Sequence, residues 1–256
     1  MSLTKNDLLV KVPAITAFFW IIKVLATTVG ETFADFINTN LNLGLTGTSA
    51  VMGSALLVCL VVQFSVRKYV PLIYWLTIVL ISVAGTLITD NLTDNLGVPL
   101  WISCVVFGVL LAVTFLIWFR QEKTLAMKSI VSKKREAFYW LAVLLTFALG
   151  TASGDWLAEA AGLGYGLSAV SYFAVIAVIG LLWKRKVIGE ITAFWIVYIL
   201  TRPLGASVGD LLAQAPQDGG MGLGTTTTSI IFLLAILASV VYLSSSKRDQ
   251  IKAATN

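Results

Sequence analysis

The chain contains no histidine, and its 256 residues include only two cysteines, five prolines and 12% charged residues. Without imidazole, and with Cys59 and Cys104 isolated in apolar stretches, the donor sets that hold zinc, copper or nickel are missing. No serine–histidine arrangement, metal-hydrolase motif or phosphate-cradling loop is present, so the chain reads as a non-enzyme that requires no cofactor. The scarcity of charge is the broadest constraint. A soluble domain carries about 25% charged residues; this chain has half that, with 58% hydrophobic residues and a mean hydropathy of +0.90, which assigns it to lipid.

What it has instead is long apolar segments. About 20 such residues cross a hydrocarbon core of about 30 Å. Eight candidates stand at roughly 14–37, 45–66, 71–93, 100–119, 137–160, 166–183, 190–213 and 225–244. The predicted fold is an all-α polytopic membrane protein of eight transmembrane helices. Residues 1–12 are polar and carry no cleavage motif, so the first segment is expected to remain as a helix.

Sixteen of the eighteen lysines and arginines fall at the termini or after the second, fourth and sixth segments; the exceptions are Lys23 and Arg202. The other four connections carry none. The positive-inside rule then predicts cytoplasmic termini, in a bacterial inner membrane. The basic excess describes a rim facing anionic lipid, not a nucleic-acid surface.

The chain is also repetitive. Trp20, Trp75, Trp140 and Trp195 are each followed ten residues on by a glycine (Gly30, Gly85, Gly150, Gly205) and five further by an aspartate (Asp35, Asp90, Asp155, Asp210). Four parallel two-helix repeats follow, at 13–68, 71–123, 136–186 and 189–246, within one membrane domain spanning 1–256. A cytoplasmic linker, 121–134, divides them into two four-helix halves and shows no fold of its own. The tryptophans are expected to be interfacial anchors, and the even helices scaffold.

Steps of four residues keep to one helix face. Counted from each tryptophan, positions seven, eleven, fifteen and nineteen read Thr27, Glu31, Asp35, Thr39; Ser82, Thr86, Asp90, Asp94; Phe147, Thr151, Asp155, Glu159; and Arg202, Ala206, Asp210, Gln214. Four polar faces cannot all meet lipid, so they are expected to converge on an outward-opening cavity. A charge at a helix centre costs about 2.5–3.5 kcal/mol on insertion scales. Clustered carboxylates cannot all stay ionised in a low dielectric without a cation among them. Oxygen donors alone suit hard ions: Mn²⁺, Mg²⁺, Ca²⁺, Na⁺ or protons.

The predicted cation and proton site is Glu31, Asp35, Asp90, Asp155 and Asp210, with Asp94 and Glu159 at its outer mouth. Thr27, Thr28, Thr86, Thr89 and Thr151 are its expected hydroxyl ligands, and Lys23 and Arg202 its charge-compensating bases. Pro203 removes a backbone donor and marks either a packing accommodation or a moving part.

The repeated tryptophan–glycine–aspartate hairpin, most specifically KVLATTVGETFADF (23–36) and GTASGDWLAE (150–159), resembles a family of uncharacterised bacterial membrane-anchored proteins built of four tandem two-helix repeats. That resemblance implies the eight-helix architecture and names no activity. The residues themselves point to a proton-coupled transporter, an exporter of a hard divalent cation such as Mn²⁺ or Mg²⁺. The alternatives are an organic-cation transporter and a non-transporting sensor or assembly partner.

Overall fold

The structure is a computed structural model and describes residues 10–40 and 43–250. It contains α1 (Ala17–Asn40), α2 (Gly44–Ser65), α3 (Pro71–Asp90), α4 (Leu100–Glu122), α5 (Lys133–Asp155), α6 (Gly164–Lys184), α7 (Glu190–Ala213) and α8 (Thr225–Ser246). All eight are long and apolar enough to cross a membrane, and no strand occurs among the described residues. Helices are what such a sequence must form in lipid, where each backbone N–H and C=O needs a partner within its own segment. Local signals set several ends. Pro71 opens α3, where its missing N–H has no intrahelical partner to lose. The Ser132 hydroxyl accepts from the Arg135 N–H at the start of α5. Lys123 and Lys247 close α4 and α8 in the left-handed conformation, each placing a cation at the negative helix end.

Burial separates two layers. In the odd helices 56–72% of the most apolar window is buried, in the even helices 11–28%. Helices α1, α3, α5 and α7 form an inner ring, each touching the next and α7 closing back on α1. The outer helices pack chiefly on the following repeat: α2 on α3, α4 on α5, α6 on α7, and α8 on α1. Each repeat thus hands its second helix to its neighbour, so no repeat is a self-contained hairpin.

The repeated glycines are where the ring closes. A Cβ on Gly30 would lie 1.8 Å from Ser82 Oγ, and one on Gly85 2.7 Å from Phe147 Cβ. On Gly150 it would lie 2.2 Å from Arg202 Cγ, and on Gly205 1.9 Å from Thr27 Oγ1. In every case the glycine at position ten receives the residue at position seven of the next repeat. Small residues permit this close helix approach, which in lipid replaces the hydrophobic drive to associate.

The tryptophans depart from expectation. Trp75, Trp140 and Trp195 are only 1, 4 and 5% exposed, so they are not interfacial anchors. Each repeat's tryptophan meets the aromatic residue that precedes the neighbouring one: Phe19 with Trp75 at 5.7 Å, Tyr74 with Trp140 at 5.5 Å, Tyr139 with Trp195 at 6.3 Å, and Phe194 with Trp20 at 5.6 Å between ring centroids. This collar fills the ring toward the face that carries the termini. Burial of large rings inside the bundle outweighs their interfacial preference because the cyclic arrangement supplies ring partners on all sides.

Two further expectations are corrected on that face. The 121–134 linker does fold: Met127–Ser129 makes a 3₁₀ turn, Met127 and Ile130 are buried, and Leu125 O accepts from Trp195 Nε1 at 3.0 Å. Its apolar residues dock under the collar, which a reading weighted by its lysines passes over. Lys11, counted with the solvated basic rim, is instead buried and ion-paired with Glu136. Glu136 also accepts from Gln63 Nε2 at 3.0 Å, and the Lys11 N–H donates to Ile130 O at 3.0 Å. The segment before α1 and the segment after α8 meet where Ala14 N–H donates to Asp249 O at 2.7 Å.

Candidate functional site

At the opposite end of the ring the polar faces of α1, α3, α5 and α7 enclose a cavity of about 180 Å³. Glu31, Asp35, Asp90, Asp155 and Asp210 all line it, together with Asp94 and Glu159. The ring explains this convergence. Equivalent positions of four equivalent helices lie at one level, so an aspartate fifteen residues after each tryptophan is aimed at a shared axis. Glu31 and Asp210 are buried, whereas Asp94 and Glu159 are exposed toward the rim. Glu31, Asp155 and Asp210 each present one carboxylate oxygen within 4.8 Å of the other two.

The helix ends shape the opening. Directly after Asp90 and Asp155, α3 and α5 widen into π turns, Asn91–Asn95 and Trp156–Ala160. A π turn carries an extra residue per turn and re-aims the side chains beyond it, a feature frequent at functional sites. Here it carries Asp94 and Glu159 to the rim. Gly97 and Gly162 then turn each chain back with positive φ, 66° and 72°, which costs a glycine little. Outer helices brace this end: Asn91 Nδ2 donates to Ser49 Oγ at 2.8 Å, Ser229 Oγ to Thr32 Oγ1 at 2.8 Å, and Tyr165 OH to Glu159 Oε1 at 3.1 Å.

Arg202 reaches this site from α7. Its Nη2 lies 2.9 Å from Glu31 Oε2 and 2.6 Å from Thr151 Oγ1, and also donates to Thr86 Oγ1. Nη1 donates to Thr27 O at 3.4 Å. Pro203, next in α7, packs on Gly150 and Gly154 of α5.

The supporting residues differ from expectation in two respects. None of Thr27, Thr28, Thr86, Thr89 and Thr151 lines the cavity. Thr27, Thr28 and Thr89 donate to backbone carbonyls, Thr27 to Thr201 O at 3.2 Å and Thr89 to Ala148 O at 3.1 Å, which ties neighbouring helices. Thr86 and Thr151 hold Arg202, and Thr86 Oγ1 also donates to Glu31 Oε2 at 3.5 Å. Lys23 forms no ion pair among the described residues. Its Nζ is 4.2 Å from the Phe147 ring centroid and 4.3 Å from that of Tyr198, with no hydrogen-bond partner. It stands at position three of its repeat, one helical turn before position seven, which Arg202 occupies in the fourth. Asn38, Thr93 and Gln214 line the cavity and were not singled out as site residues, though Gln214 stands on the polar stripe and Thr93 beside Asp94. The Thr39 side chain lies outside the described residues.

The fold and its cavity define the class: a helical protein of four two-helix repeats around an acidic chamber, with eight long helices among the described residues, each fit to span a membrane. The family model described as "Repeat of Unknown Function (DUF347)" matches four times, at 18–69, 73–124, 138–187 and 193–249, and the chain belongs to that family. Searches among curated proteins and among solved structures return no match.

Proposed function

We propose that this protein is a membrane transporter of a hard cation, a divalent metal such as Mn²⁺ or Mg²⁺, exported in exchange for protons. The observation that carries this reading is the convergence of Glu31, Asp155 and Asp210 oxygens within 4.8 Å, inside a chamber walled by four further acids. Carboxylate and amide oxygens without nitrogen or sulfur donors match such ions. The chamber of about 180 Å³ has no aromatic side chain in its wall, which favours a metal over an organic cation that would use a ring face. In this reading the termini face is cytoplasmic, because it gathers the basic loops, and the chamber opens to the outside of the bacterial inner membrane. Asp35, Asp90, Asp155 and Asp210 would pass between protonated and metal-bound forms as the ion comes and goes, a role in carriage, not in catalysis.

The test is flux in proteoliposomes holding a metal-sensitive dye and a pH dye, screened with Mn²⁺, Mg²⁺, Ca²⁺ and Na⁺. Saturable flux of one ion with counter-movement of protons, lost in Asp90→Asn, is expected. Absence of flux for every ion, from protein that is folded and monodisperse, would remove the transport reading.

A further inference from the structure

One buried basic side chain is paired with an acid of the chamber. Arg202 is fully buried, and its guanidinium touches all three of the other inner helices: Glu31 and Thr27 on α1, Thr86 on α3 and Thr151 on α5. Its Cβ and Cγ press on Gly150, so the stem is held and the guanidinium end is the part with freedom to move. Its Nε has no hydrogen-bond partner, so the anchorage is incomplete as it stands.

Glu31 is shared. Its Oε2 accepts from Arg202 at 2.9 Å, and the same carboxylate belongs to the triad with Asp155 and Asp210. A cation held by that triad draws on the charge that now neutralises the guanidinium. Two full positive charges cannot both be satisfied by one carboxylate in a low dielectric, so occupation by one weakens the hold of the other. Beneath Arg202 its guanidinium carbon stands 5.8 Å from the Phe147 centroid, the ring that Lys23 also faces at 4.2 Å. Lys23 and Arg202 thus share one ring on the collar side of the acids.

We propose that Arg202 is a tethered surrogate cation that competes with the transported ion for Glu31, so that ion binding releases the guanidinium and unlatches α7 from α1, α3 and α5. This rests on the transport reading above and adds the device that links occupancy of the site to movement of the ring. Position seven of the other repeats holds Thr27, Ser82 and Phe147, none of which carries charge. One repeat alone supplies the latch.

The test is calorimetric titration of the purified full-length protein with Mn²⁺, then Mg²⁺, Ca²⁺ and Na⁺. Arg202→Lys keeps the charge but loses the planar fork that reaches two threonines and a carboxylate together. A hydrogen bond to a charged group is worth about 1.5–3 kcal/mol, so its loss is expected to tighten Mn²⁺ about ten- to hundredfold. Thr151→Ala and Thr151→Val weaken the hold without touching an acid, Thr86 being left in place because its hydroxyl also donates to Glu31, and are expected to tighten Mn²⁺ in the same direction by a smaller factor. They serve if Arg202→Lys does not fold. Unchanged or weaker affinity in these folded variants, with binding intact in the wild type, overturns the latch and leaves the transport reading standing. If neither wild type nor any variant binds any of the four ions, the cation site itself falls, and the latch with it.

Discussion

Replacing Gly85 by alanine places a methyl carbon 2.7 Å from Phe147 Cβ and 3.1 Å from both Ala148 N and Phe147 C. Those neighbours are backbone, or the first atom off it, so no rotamer change relieves the overlap; α3 and α5 must move apart by several tenths of an ångström or more. Overpacking of this kind costs about 1–3 kcal/mol. The protein holds its own controls. A Cβ on Gly108 of α4 or Gly180 of α6 meets nothing within 4 Å, and there the intrinsic helix preference of alanine is expected to stabilise by up to about 1 kcal/mol. For a chain of this size, 1 kcal/mol moves Tm by about 2–4 °C. Gly85→Ala should then lower the midpoint by about 2–12 °C, followed by tryptophan fluorescence in detergent, while Gly108→Ala leaves it unchanged or raises it. Equal shifts in both variants would refute the argument that the position-ten glycines exist for ring closure.

Two further outcomes follow from the termini face. Lys11→Met leaves Glu136 buried without its counter-ion, and a buried pair broken on one side costs about 3–5 kcal/mol; the double variant with Glu136→Met should recover most of that in a thermal or denaturant melt. Asp249 titrates differently. Burial raises its carboxyl above the ordinary 3.8, against the opposing effect of the Tyr69 hydroxyl bonded to it. An acid whose folded pKa is raised favours folding while protonated, so its contribution is full below the ordinary value and is lost as pH rises through the raised one. Limited proteolysis of the C-terminal segment should accelerate across that window, and Asp249→Asn should abolish the dependence.

Repetition made the helical architecture and the acidic chamber legible before any coordinates. A period carried by tryptophan, glycine and aspartate together means that one helix face recurs four times. Four recurring faces with a carboxylate at one depth have a shared axis as their natural solution. Glu31, Asp94 and Glu159 follow because steps of four stay on that face. The supporting residues were not legible in the same way. Thr28 and Thr89 stand next to the stripe, and only the azimuth of each helix decides whether a neighbouring hydroxyl meets the chamber or a backbone carbonyl.

The sequence by itself determined the number of helices, their apolar character, their grouping by repeats and the meeting of the acids, because each depends on order along one chain and on period within one helix. Tertiary structure decided the rest: that α8 closes on α1, that each outer helix packs on the next repeat, that Trp75, Trp140 and Trp195 turn inward, and that Arg202 takes Glu31 while Lys23 faces two rings. Those outcomes depend on which neighbour fills a given groove. Glycine supplies the groove without naming its occupant, and only the closed ring, in which each repeat meets the next, settles which side chain enters it.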